Sequence, residues 1–327
     1  MTMDRYILGW DVGGTKCAAV VGTPSGEIVA RAEWSSESTK GPSAMIEAFG
    51  KHAATFSEKF GKFTGVGVSI GGPLNTKTGV VLSPPHLPGW DEVPLQAILK
   101  EAFSARLVPD AEVVVQHDAA ACLCAEYLWG AARGASHGIY LTCGTGFGSG
   151  VMIDHRILMG PNGESPEIGY AQLADDGAPM NFCGITRVGH AEGFGSGTGV
   201  ALLAEKRFPE LFPTGTPLRV VAERARTGDE AAIKVVRESA TRIGQLCVTL
   251  AALFAPQVIV LGSLARYLEP LWTEHIQRVF AETSLPINSR HTQIIPSELA
   301  NRLQDLSAIA PVVMKQRLFG GESAEQS

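Results

Sequence analysis

Three short stretches hold residues whose types and spacing suit phosphate chemistry. In Trp10-Asp11-Val12-Gly13-Gly14-Thr15-Lys16 an apolar strand runs into an acid, paired glycines, a hydroxyl and a lysine, and a second strand (18–21) leaves at once. Paired glycines let the backbone approach a ligand closely, because no Cβ intervenes. Successive bared N–H groups form an anion nest. Asp11 beside that nest suits Mg²⁺, a hard cation that takes oxygen ligands and bridges to phosphates. An ordinary hairpin using Gly-Gly for its turn gives the same pattern. The second stretch repeats the move: a strand at 138–142, the turn Gly144-Thr145-Gly146-Phe147-Gly148-Ser149-Gly150, and a strand at 151–154. The copies share little sequence, so the repeat is architectural, and two nests could clamp the two ends of a triphosphate. The third stretch is His117-Asp118, between a strand at 112–116 and an alanine-rich helix at 119–129. Asp118 reads either as a cap for the orphan N–H groups of that helix or as a carboxylate projecting into a cleft.

The elements that must position these residues follow from hydrophobic period and turn chemistry. A third strand (27–33) completes an antiparallel opening. A helix starts at Gly41-Pro42-Ser43, with Met45, Phe49, Ala53, Phe56 and Phe60 at helical spacing. A buried strand at 65–70 ends in Gly71-Gly72-Pro73, and open α/β sheets place ligands at such carboxyl ends. Helix 94–103 precedes the His117-Asp118 strand. After the second hairpin, helices are expected at 198–207, 217–226 and 229–254. The last carries Ile233, Val236, Ala240, Ile243, Cys247 and Leu250 on one face. A strand at 258–261 ends in Gly262-Ser263, then come a helix at 268–282, a strand at 293–295 and a final helix at 306–318.

Composition narrows the class. A chain of 327 residues is long for one domain, and 45% hydrophobic with 18% charged residues describes a soluble, well-cored globule. A net charge of −6 argues against nucleic acid and against an anionic membrane surface. No apolar run reaches the length of a membrane span, and the first residues lack a secretory core. The six cysteines lie mostly in apolar segments, which suits reduced thiols and a cytoplasmic location. Lys16 follows Thr15, so no Walker A motif is present, and Ser149 stands where a dinucleotide fingerprint needs glycine. Cys122-x-Cys124 sits two apart on a helix, a poor chelate.

Taken in order, these residues resemble the ROK family (repressors, uncharacterised frames and sugar kinases) of the actin/hexokinase superfamily. Asp11 to Lys16 is similar to its first phosphate motif and Gly144 to Gly150 to its second. Ala255-Pro256-Gln257-Val258-Ile259-Val260-Leu261-Gly262-Ser263 resembles its adenosine segment, with Ser263 where glycine is usual. The resemblance implies an α/β fold of two ribonuclease-H-like, actin-like ATPase lobes around a cleft. The lobes would be 1–117, with a helix at about 304–319 packing back on it, and 118–303, leaving 320–327 as a tail. The chain starts at its first strand with no helix-turn-helix ahead, which disfavours a repressor.

The implied activity is ATP-dependent phosphorylation of a hexose or N-acetylhexosamine hydroxyl in the manner of a glucokinase. Asp118 would be the general base and Asp11 would position Mg²⁺ through water. Gly13, Gly14, Thr15 and Lys16 would take one end of the phosphate chain, Gly144, Thr145 and Gly146 the other, and Gly262 and Ser263 would border the adenosine. Family position points to Gly72, Asn75, Glu167 and Glu192 for the sugar, with His117 and Tyr170 also candidates, and to a homodimer. Three departures fall in the sugar half. His117 replaces an Asn, Tyr170 replaces a zinc-binding His, and of the Cys-x-Cys-Gly-x-x-Gly-Cys zinc cluster only Cys183 and His190 remain. A structural zinc takes four ligands, so no zinc is expected. The competing readings are a non-catalytic sugar or nucleotide sensor, and a kinase for a non-sugar alcohol.

Overall fold

The computed structural model describes residues 5–182 and 185–320, with main chain alone at Phe182, Ile185 and 318–320. In chain order its strands are β1 (Ile7–Val12), β2 (Lys16–Gly22), β3 (Ile28–Ser35), β4 (Phe63–Ile70), β5 (Leu74–Asn75), β6 (Val80–Val81), β7 (Leu107–His117), β8 (Gly138–Leu141), β9 (Ser149–Ile153), β10 (Arg156–Ile157), β11 (Met180–Phe182), β12 (Ile185–Arg187), β13 (Val258–Leu261) and β14 (Gln293–Pro296). Its helices are α1 (Gly41–Phe60), α2 (Leu95–Ala102), α3 (Asp118–Trp129), α4 (Ala191–Gly195), α5 (Gly197–Arg207), α6 (Leu218–Arg226), α7 (Glu230–Phe254), α8 (Ser263–Tyr267), α9 (Leu271–Thr283), α10 (Pro286–His291) and α11 (Leu303–Gly320). They form two compact units. One takes the chain up to Arg133, the segment Ile157–Ser165 and the chain from Leu299; the other takes Gly134–Arg156 and Pro166–Glu298.

The first unit is built on a five-stranded sheet in the order β3-β2-β1-β4-β7. β1 and β2 form the expected hairpin, and β1, β4 and β7 run parallel. One face packs on α1, with Trp10 stacked on Phe49 at 4.6 Å between ring centroids. The other face receives α11. Gly67 makes that approach possible, since a Cβ there would overlap the Ala308 carbonyl oxygen. α11 packs on α3 as well as on β1 and β4. Because α3 shares this core, it falls in the first unit; the expected division after residue 117 had assigned it to the second.

The second unit repeats the plan, with sheet order β10-β9-β8-β13-β14, a β8–β9 hairpin and β8, β13 and β14 parallel. The apolar face of α7 is buried from Val236 to Leu250 as its period predicts, while Ile233 is only partly covered. A buried polar chain crosses this core: Trp272 Nε1 donates to Ser239 Oγ at 2.8 Å, and Ser239 Oγ donates to the Phe194 carbonyl at 2.6 Å. The helix expected at 268–282 is α9, which starts later, at Leu271, and the short α8 before it was not expected. Pro270 cannot continue a helix interior, and it occupies the N-cap of α9 instead. The β5–β6 and β11–β12 hairpins, α4 and α10 are too short to leave a periodic signal in the sequence.

Among the described residues no helix is long and apolar enough to cross a membrane. Cys17, Cys122, Cys124, Cys143 and Cys247 are buried free thiols.

Candidate functional site

In the first unit, strand register gathers the chemistry at one edge. Val12 pairs with Ile70, and Ile70 pairs with His117. Asp11, Gly71-Gly72 and His117-Asp118 therefore stand at the carboxyl ends of three adjacent parallel strands, where open α/β sheets bind ligands. The hairpin tip is tightly closed. The Gly13 N–H donates to the Lys16 carbonyl at 3.1 Å, and Ser36 Oγ donates to the Gly14 carbonyl at 2.6 Å. A Cβ on Gly14 would meet His86 at 2.9 Å, so the turn accepts only glycine there. No hydrogen bond among the described residues uses the N–H of Gly14 or Thr15. Lys16 leaves the turn: its Nζ pairs with Glu33 at 2.7 Å and the side chain is 69% exposed.

Asp11 sits under this tip. Burial pushes its carboxyl up to about 7, and the charges of Asp118 and Asp305 push the same way, against Arg31. That excess of negative potential fits a divalent cation held near Asp11, which would favour the ionised carboxylate. No group of three or more His, Cys, Asp or Glu side chains suited to chelate a metal occurs among the described residues, and a cation held through water on one carboxylate needs none.

Asp118 is the first residue of α3, and the N-cap position belongs to His117. Asp118 is thus not the cap of this helix but a carboxylate in its first turn. Its Oδ1 accepts the Ala119 N–H at 2.6 Å, while the side chain stays 49% exposed. One oxygen is thus tied to the positive end of the helix, where a carboxylate is stabilised. No donor among the described residues reaches Oδ2, which remains able to accept a proton. Asn75 forms an Asx turn, its Oδ1 accepting the N–H groups of Lys77 and Thr78 at 3.0 and 3.2 Å. Only its amide nitrogen remains to meet a ligand.

In the second unit the Gly144 turn is braced from three sides. The Gly144 N–H donates to the Gly146 carbonyl at 3.0 Å, the Gly197 N–H to the Gly144 carbonyl at 2.7 Å, and Thr198 Oγ1 to the Thr145 carbonyl at 2.8 Å. Leu141 and Leu261 are register partners, so the turn and Gly262-Ser263 lie at neighbouring strand ends. There Ser263 Oγ donates to the Cys143 carbonyl at 3.2 Å. A cavity of about 530 Å³ opens beside them, lined by Gly144, Thr145, Ser263 and Leu264 together with Gly197, Thr198, Leu202, Leu218 and Tyr267. Aliphatic walls, one aromatic ring and glycine backbone at the rim suit a flat heterocycle carrying phosphates. The α5, α6 and Tyr267 contributions escaped sequence reasoning. Gly197-Thr198-Gly199 behind Ser196, the N-cap that accepts the Gly199 N–H at 2.9 Å, is the one signal that marks them.

The acids expected to hold sugar also meet in this unit. Glu192 lies on α4, whose Phe194 carbonyl is anchored to α7 through Ser239. Glu167 follows Pro166, whose carbonyl accepts from Ser149 Oγ at 2.6 Å. Burial raises the Glu192 carboxyl, a hydrogen bond from the Phe147 backbone opposes this, and the Glu167 charge adds to the rise. Tyr170 is 40% exposed and stands edge-on to the His190 ring at 5.9 Å. Burial, and secondarily Arg187, holds His190 below its usual range. Cys183, the other remnant of the zinc cluster, lies outside the described residues.

A glucokinase of Streptomyces coelicolor is 30% identical over 269 residues, covering 78% of this chain and 80% of that protein. An N-acetylmannosamine kinase of Pasteurella multocida is 29% identical over 255 residues, with 78% and 80% covered. Among solved structures, a ROK family glucokinase from Streptomyces griseus in complex with glucose and AMPPNP superposes with a TM-score of 0.74 at 27% identity, covering 93% of this chain and 97% of that one. The ROK family model itself matches residues 7–304, and the chain belongs to the ROK family.

Proposed function

We infer that this chain is an ATP-dependent sugar kinase, and that Asp118 is its general base. The observation that carries the assignment is the split environment of that carboxylate: Oδ1 anchored on the Ala119 N–H and Oδ2 unbonded, at the strand ends that also hold Asp11 and Gly72. Kinase relatives for glucose and N-acetylmannosamine support the substrate class.

In this reading Asp118 Oδ2 accepts the proton of a sugar hydroxyl as that oxygen bonds to the γ-phosphorus. The bond from the γ-phosphorus to the β,γ-bridging oxygen breaks, and ADP leaves. The N–H groups of Gly14 and Thr15 bind one end of the triphosphate, and those of the Gly144 turn bind the other. Both stabilise charge that spreads over phosphate oxygens. Asp11 orients Mg²⁺, which neutralises phosphate charge when bound. The second-unit cavity takes the nucleoside, with Gly262 and Ser263 at its border. Glu167 and Glu192 accept hydrogen bonds from neighbouring sugar hydroxyls, and Gly72, Asn75 and Tyr170 are further candidates for sugar contact. Lys16, paired with Glu33, serves the phosphates only if that ion pair opens. A homodimer, Mg²⁺ dependence and a cytoplasmic location belong to the same proposal on the strength of the family resemblance.

The test is ADP release from ATP and Mg²⁺ across a panel of hexoses and N-acetylhexosamines, with Asp118→Asn alongside. Sugar-dependent turnover that falls by roughly 10²–10⁴-fold in the variant supports the reading. Tight sugar binding without turnover in the unaltered protein would establish a sensor instead.

A further inference from the structure

His117 is 6% exposed, and its Nδ1 is buried with no hydrogen-bond partner. Buried polar atoms are paired in the great majority of cases, so an orphan asks for a role. The acceptor beside it is Asp118 Oδ1, 3.3 Å away but out of line for a hydrogen bond. That oxygen already takes the Ala119 N–H, and a carboxylate oxygen has room for a second donor. The ring itself is held. The His117 N–H donates to Gln116 Oε1 at 2.8 Å, and the far edge of the imidazole lies along Gly72, where a Cβ would meet Cδ2 at 2.8 Å and Nε2 at 3.2 Å. Nε2 is thus turned toward the Gly72 backbone and Nδ1 toward the carboxylate. A small turn of the Asp118 side chain would close the gap, and catalytic hydrogen bonds commonly tighten only when ligand is bound.

We propose that His117 is a positioning residue that donates its Nδ1–H to Asp118 Oδ1 in the working complex and so aims Oδ2 at the sugar hydroxyl. The proposal rests on Asp118 being the base and replaces the expectation that His117 binds sugar directly. It requires the tautomer, or the protonated ring, that carries hydrogen on Nδ1. Two donors on Oδ1 would fix the carboxylate plane, and the proton acceptor would be the one oxygen left over.

The imidazole can be dissected by isosteres. An Asn amide nitrogen occupies nearly the place of Nδ1, and a Gln amide nitrogen nearly the place of Nε2. Steady-state kinetics of His117→Asn, His117→Gln and His117→Leu, each checked by thermal unfolding, would be run with glucose and with N-acetylmannosamine. His117→Asn should keep kcat within about threefold, while His117→Gln and His117→Leu lose roughly 10–100-fold in kcat with the sugar KM nearly unchanged. If His117→Gln is the active variant, or if the loss falls on the sugar KM alone, His117 is a sugar ligand and the proposal is overturned. Should His117→Leu not fold, the Asn and Gln pair decides alone. Turnover surviving in Asp118→Asn would instead overturn the base assignment, whatever the His117 variants do.

Discussion

Glu192 and Glu167 stand close enough to oppose one another: burial lifts the Glu192 carboxyl above the usual carboxylate range, and the charge on Glu167 lifts it further. A raised acid keeps its proton longer in the folded chain than in the unfolded one. Its contribution to stability therefore diminishes as pH rises from the unfolded value through the folded one. Glu192→Gln should leave unfolding free energy unchanged near pH 4 and raise it at pH 8, measured by urea denaturation of the ligand-free protein. The same variant should raise the sugar KM, since an acceptor for hydroxyls becomes partly a donor. A stability gain at pH 4 equal to that at pH 8 would assign the effect to packing rather than charge.

Gly72 gives a second handle on the strand-end cluster. A methyl group there would press on the His117 ring at 2.8 Å, and overpacking of this kind costs about 1–3 kcal/mol. Gly72→Ala should lower stability within that range and reduce kcat by roughly tenfold or more through displacement of the ring and of Asp118. An unaltered kcat would mean that the ring moves without consequence for the carboxylate.

The nucleotide cavity supplies a third. Ala201 lines it on the face of α5, so Ala201→Phe fills space that an adenosine would need. The KM for ATP should rise by roughly tenfold or more, equivalent to ~1.4 kcal/mol. Sugar affinity measured calorimetrically without nucleotide should stay within error. A variant with unchanged KM for ATP would place the nucleoside elsewhere.

What was legible in the sequence follows a physical divide. Gly13-Gly14 and Gly144 to Gly150 announced themselves because a turn that bares its backbone constrains residue type locally. The strand-end position of Gly71-Gly72 was visible for the same reason. Register was not, because the pairing of Ile70 with both Val12 and His117 depends on residues far apart in the chain. Nor was the partner of α3. Its alanine-rich sequence says that it is buried, not that α11 buries it, and the expected domain division went astray there. Leu218 and Tyr267 are ordinary residues until α6 and α8 bring them to one cavity. The Lys16–Glu33 pair likewise depended on the β2–β3 register, in which Lys16 faces Ser35.

Glu126 offers the last prediction, at the junctions of the first unit. Its carboxylate is fully buried, with Oε2 accepting the Ala131 N–H at 2.7 Å and Oε1 the Leu299 N–H at 3.3 Å. Ala131 lies two residues before the chain first leaves this unit, and Leu299 is the residue at which it returns for the last time. One side chain therefore ties down the first and the last of the four crossing points. Gly130 is shaped to it as well, since a Cβ there would overlap Glu126 Oε2. In Glu126→Gln the amide would turn a donor toward one of these two N–H groups, leaving a buried donor unpaired at a cost of about 1–3 kcal/mol. Urea unfolding should register that loss. Hydrogen exchange should become faster at Ala131 and Leu299 before it does in β1, β4 or β7, because the damage begins at the tether and not in the sheet. Protection lost evenly across the unit would show that Glu126 acts as general core packing and that the junctions are held by other means.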